Sequence, residues 1–136
     1  MDAVQALADL TEISSQIRAA VLFDESGEVA ASTLDSEERS RELAQAATDL
    51  LRTAEGLRTG GDGELTQLEA ATVDGSVFVV RQGARRIVAT TSPEPTVGLV
   101  FYDLKSCLRG VEDDPEPAKP RRRTPRKKES EAEAQG

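Results

Sequence analysis

The run Val77-Phe78-Val79-Val80 limits what this chain can fold into more than any other segment. Four consecutive apolar side chains on an extended strand point alternately to both sides, so the strand must be covered on both faces. Gln82-Gly83 then turns the chain into Arg85-Arg86-Ile87-Val88-Ala89-Thr90-Thr91, which reads as the second arm of a hairpin. Upstream, Ala19-Ala20-Val21-Leu22-Phe23 and Glu28-Val29-Ala30-Ala31-Ser32 flank the polar, glycine-ended turn Asp24-Glu25-Ser26-Gly27. These segments predict another hairpin. Residues 64 to 72 (ELTQLEAAT) form a weaker strand, polar at most positions, as expected of a sheet edge.

Three helices complete the pattern. Over residues 2 to 17, Ala3, Ala6, Leu10, Ile13 and Ile17 recur at spacings of three and four with Leu7 beside them, and Asp2 stands at the N-cap. Asp35-Ser36-Glu37-Glu38 reads as an N-cap with an acid three residues on, opening a helix to about Glu55. Its apolar residues Leu43, Ala44, Ala46, Ala47, Leu50, Leu51, Ala54 and Leu57 spread over roughly 160° of the helix surface at about 100° per residue. That stripe exceeds one sheet contact and points to a second packing partner. After Pro93 and Pro95, residues 97 to 111 place Val97, Val100, Phe101, Leu104, Cys107, Leu108 and Val111 on one helical face, with Asp103, Lys105, Ser106 and Arg109 off it. The predicted order is α-ββ-α-βββ-α over residues 1 to 110.

Residues 111 to 136 contain no large apolar side chain beyond Val111 and are expected to be a disordered charged tail. The tail balances seven acids against seven bases, so residues 1 to 110 carry the whole net charge of −8. An acidic domain repels nucleic acid, which leaves any such contact to the tail. The block Arg121, Arg122, Arg123, Arg126, Lys127 and Lys128 is the candidate anion-binding segment, with Thr124 inside it as a candidate phosphorylation site.

No stretch of 18 apolar residues exists and the N-terminus is acidic rather than signal-like, so a cytoplasmic protein without a membrane span is expected. With no histidine and one cysteine, the usual metal-ligand sets and the commonest general base are missing. Neither GxGxxG nor GxxxxGK[ST] occurs; Gly60, Gly61 and Gly63 read as a linker, and no GxSxG surrounds Ser14, Ser15 or Ser76. No cofactor is expected and the chain is read as a non-enzyme. Cys107 is read as a core residue rather than a reactive thiol, and Arg81, Arg85 and Arg86 as a solvated hairpin end.

The element order, the opening LADLTEISSQIRAAVLFDESGEVAAST and the closing GSVFVVRQGARRIVATTSPEPTVGLVFYDLKSCL resemble the roadblock/LC7 superfamily. The resemblance implies an α+β, profilin-like domain: a five-stranded antiparallel sheet with the second helix on one face and the first and third on the other. It implies dimers, homodimeric or between roadblock domains, joined through the second helix and the third strand. Leu43, Ala47, Leu50, Leu51 and Ala54 on the helix and Leu65, Gln67 and Glu69 on the strand are the corresponding candidate interface residues. Bacterial relatives often regulate or scaffold small Ras-like GTPases, so the resemblance implies a GTPase or signalling partner. The alternative from another class is a small-molecule-sensing module, against which stand only four aromatic residues, too few to line an obvious pocket.

Overall fold

The computed structural model describes residues 1–57 and 65–111. They form α1 (Ala3–Ile13), β1 (Ile17–Asp24), β2 (Val29–Ser32), α2 (Glu37–Leu57), β3 (Gln67–Thr72), β4 (Gly75–Gln82), β5 (Arg85–Thr91) and α3 (Val97–Gly110). All strand pairs are antiparallel, in the spatial order β2-β1-β5-β4-β3. The α+β fold and element order expected from the sequence are those observed.

Alternation along β4 decides the layering. Phe78 and Val80 point to one face, where Leu22 and Ile87 join them beneath α1 and α3; Leu7, Leu10, Val100, Leu104 and Leu108 close this core. Val79 points to the other face and packs with Val21, Phe23 and Val88 beneath Ala44, Ala47 and Leu51 of α2. The unbroken apolar run is therefore covered twice, as its composition demands. Phe78 is fully buried and meets Phe101 of α3 edge to face, with ring centroids 5.0 Å apart and an interplanar angle of 76°.

Local chemistry sets the element ends, and several differ from the sequence expectation. Asp2 caps α1 by accepting from the Gln5 amide at 2.8 Å. The helix stops at Ile13 because Ser14 adopts an extended conformation and its amide closes on the Leu10 carbonyl at 2.9 Å. Ile17 thus opens β1 instead of ending α1, and Ile13 is 72% exposed rather than part of the buried stripe. At α2 the cap is Ser36, not Asp35: its Oγ accepts from the Arg39 amide at 3.2 Å. In α3, Asp103 is buried where the helical wheel placed it off the apolar face, and Val97 is partly exposed. Residue 64, where the sequence suggested β3 begins, lies outside the described residues.

Two turns depend on particular residues. The Asp24 carboxylate accepts from Ser26 Oγ at 2.6 Å, the Ser26 amide at 2.9 Å and the Glu28 amide at 3.0 Å, while Gly27 supplies a φ of 91°. The Ser26 hydroxyl chiefly, helped by the Glu28, Ser26 and Gly27 amides and opposed by partial desolvation, holds the Asp24 carboxyl below its ordinary value. Gly75, at φ 151°, opens β4 beside the Thr91 carbonyl; a Cβ there would lie 2.1 Å from that oxygen. Only glycine fits.

Candidate interaction surface

Every strand but two pairs on both sides. The outer strands are β2, of four residues, and β3, of six. Among the described residues β3 pairs with β4 alone, with Gln67 opposite Val80, Leu68 opposite Val79, Glu69 opposite Phe78 and Ala70 opposite Val77. Its outer side therefore offers main-chain donors and acceptors to another strand.

Helix α2 runs across its face of the sheet from β2 toward β4. Near its start, Ser40 Oγ donates to Ser32 Oγ of β2 at 2.7 Å. At its far end, Glu55 pairs with Arg81 of β4 and accepts from the Leu65 amide at 3.0 Å, just ahead of β3. Most of its packing falls on β1, β2 and β5. Among the described residues the β3 end of the same face is thinly covered, and Leu65, Leu68 and Val77 there are only partly buried.

The candidate interface residues divide accordingly. Ala47 and Leu51 point into the chain's own sheet, at 0% and 4% exposure, so they hold α2 in place rather than face outward. Leu43, Leu50 and Ala54 flank them half-buried, and Ala46 and Leu57 are exposed. The wide stripe is thus part intramolecular seat and part open flank. On β3, Leu68 and Ala70 face the α2 side by register, whereas Gln67 and Glu69 face the α3 side. Ser76 Oγ donates to Glu69 at 3.2 Å, and Gln67 lines an open depression of about 350 Å³ with Val80, Lys105 and Arg109.

Arg81 is a correction. The sequence placed it on a solvated hairpin end, yet its side chain is only 13% exposed and is ion-paired with Glu55. Glu55 went unnoticed because its partner lies 26 residues away, beyond any helical or hairpin spacing. Arg86 does sit at the turn, donating to the Ala84 carbonyl at 2.8 Å. Cys107 is buried, as expected; burial chiefly, and the negative charge of Asp9, push its thiol up to about 11, the reverse of an activated nucleophile. Residues 60 to 63, Thr124 and the basic block Arg121 to Lys128 lie outside the described residues. Among the described residues there is no cluster of three or more metal-ligating side chains and no helix long and apolar enough to cross a membrane.

No protein-family model and no curated protein matches the sequence. Solved structures do match. A roadblock/LC7 domain from Streptomyces avermitilis superposes with a TM-score of 0.71 at 17% identity, over 80% of this chain and 93% of that one. MglB of Myxococcus xanthus gives 0.59 at 17% identity over 77% of each chain, and the gliding protein MglB of Thermus thermophilus gives 0.56 at 19%, over 77% and 82%. The sheet order, the two-against-one arrangement of helices and these superpositions agree: the chain has the fold of the roadblock/LC7 superfamily.

Proposed function

We propose that this chain is a cytoplasmic, non-catalytic scaffold or regulator that dimerises through α2 and β3 and docks onto a small Ras-like GTPase. The observation that carries the dimer is the open outer side of β3 lying beside the thinly covered end of the α2 face. Joining two β3 strands would pair both edges and bring Leu68 and Ala70 of each copy toward the open flank of the other copy's α2, with Leu43, Leu50 and Ala54. Each half-buried leucine that loses its remaining exposure contributes about 1 kcal/mol. The GTPase partner is supported by the roadblock resemblance and by the likeness to MglB.

Light scattering at tens of micromolar tests the first part: the expected mass is twice that of the chain, and Leu50→Asp shifts it to the monomer with unchanged circular dichroism. A strictly monomeric wild type refutes the dimer. For the partner, a Ras-like GTPase encoded beside this chain's gene is the probe. Binding by calorimetry that depends on whether GDP or GTP is loaded is the expected result, and no heat with either nucleotide refutes the docking role.

A further inference from the structure

Two β3 strands can pair in several registers, and the geometry of the open edge narrows them. Inside the sheet, the Arg81 amide donates to the Thr66 carbonyl at 2.8 Å. Thr66 therefore turns its main-chain groups toward β4, and by alternation so do Leu68 and Ala70. Gln67, Glu69 and Ala71 turn theirs outward, to the edge. The side chains of these outward-bonding residues lie on the α3 side of the sheet, while Leu68 and Ala70 lie on the α2 side.

A two-fold axis perpendicular to the sheet makes the strands antiparallel and keeps the two α3 sides together, so outward-bonding residues must pair with one another. The residue on the axis then fixes the register. With Gln67 there, Leu65 would have to give the second copy an amide it already donates to Glu55 at 3.0 Å. With Glu69 there, two carboxylates stand directly opposite each other, which destabilises a strand pair. Ala70 on the axis sets Glu69 against Ala71 and pairs Gln67 with Val73, which lies in the turn between β3 and β4. Leu68 on the axis forms as many central hydrogen bonds, joins Leu68 to its counterpart beneath the α2 helices, and sets Gln67 opposite Glu69. Side-chain chemistry thus favours Leu68 over Ala70.

Charge favours it a second time. The depression that Gln67 borders is lined by Lys105 and Arg109 and by no carboxylate. Lys105 is partly buried and makes no side-chain hydrogen bond or ion pair among the described residues. Arg109 donates to the nearby Ser106 hydroxyl at 3.2 Å. With Leu68 on the axis, Glu69 of the second copy stands one strand beyond Gln67, about 5 Å farther out, a gap that a lysine or arginine side chain crosses. Ser76 holds one oxygen of the Glu69 carboxylate, which leaves the other for the second copy. We propose that two copies pair with Leu68 of each on the two-fold axis, so that Glu69 of each lies against Gln67 of the other and meets its Lys105 and Arg109. This rests on the dimer through β3 and adds to it a register and an ionic contact made by α3.

Light scattering reads the dimer and cross-linking reads the register, so the two can fail separately. The full chain is used, with its single cysteine removed by Cys107→Ser. Leu68→Cys should then form an interchain disulfide under mild oxidation, because residues facing each other at a non-hydrogen-bonded position have Cα atoms about 4.5 Å apart. Ala70→Cys should not, since its two copies stand about 14 Å apart in this register. Glu69→Gln should weaken the dimer about fivefold in sedimentation, whereas with Glu69 on the axis the same change would tighten it. Glu69→Lys should weaken it further, and adding Lys105→Glu should recover most of that loss. A dimer in which Ala70→Cys cross-links, or Leu68→Cys does not, or Glu69→Gln tightens association, overturns the register. No recovery in the charge exchange overturns the Lys105 contact. A monomeric wild type removes the dimer and the register together.

Discussion

Replacing Glu55 tests how α2 is fastened to the edge of the sheet. Its carboxylate receives the Arg81 guanidinium and the Leu65 amide together, bridging the end of α2, the approach to β3 and the neighbouring strand β4. Arg81 is 13% exposed and Glu55 29%, so the pair lies between the surface case, worth about 0 to 1 kcal/mol, and the fully buried case, where breaking costs about 3 to 5. A middle figure of about 1.5 kcal/mol for the ion pair, with about 1 for the amide bond, puts Glu55→Ala near 2.5 kcal/mol. Glu55→Gln keeps an oxygen for the Leu65 amide and loses the charge, which leaves a cost of about 1.5 kcal/mol. In a domain of this size 1 kcal/mol moves the midpoint by about 4 °C, so losses near 10 °C for alanine and 6 °C for glutamine are expected in thermal melts. A double-mutant cycle with Arg81→Gln should return a coupling of about 1 kcal/mol or more, little reduced by salt. Both variants melting with the wild type, or a coupling of zero, would refute this account of the clamp.

Gly75→Ala places a methyl 2.1 Å from the Thr91 carbonyl oxygen at a backbone angle alanine avoids, and a loss of about 3 kcal/mol in urea unfolding is expected. Phe78→Leu removes a fully buried ring and its edge contact with Phe101, costing about 1 to 2 kcal/mol by the same measurement. The folded Asp24 carboxyl titrates below its ordinary value of 3.8, so its stabilisation is complete above that value and is lost as pH falls through the lower folded one. Asp24→Asn should therefore flatten the acid limb of the stability profile, and an unchanged slope below pH 3.8 would count against the turn geometry.

The fold was largely legible because its strongest signals are local. Val77 to Val80 announce a strand covered on two faces, Asp24 to Gly27 and Gln82-Gly83 announce hairpins, and the spacing of Val100, Leu104, Cys107 and Leu108 gives α3 its buried face. Periodicity alone could not divide the α2 stripe. Ala47 and Leu51 differ from Leu50 and Ala54 only by where the sheet lies, and that depends on the path of the helix across it.

Sequence by itself determined the elements, their order, the polar character of the edge strand and the charge division, residues 111 to 136 summing to zero while residues 1 to 110 hold the whole net charge. Those properties follow from side-chain period and from charge, which are written residue by residue. Tertiary structure decided what long-range approach decides: that Arg81 is a partly buried partner of Glu55 and not a solvated hairpin cation, and that Asp103, polar by type, is enclosed between α1 and α3. Neither contact has a spacing that a linear reading can detect, because each is made by elements that meet only when the sheet is assembled.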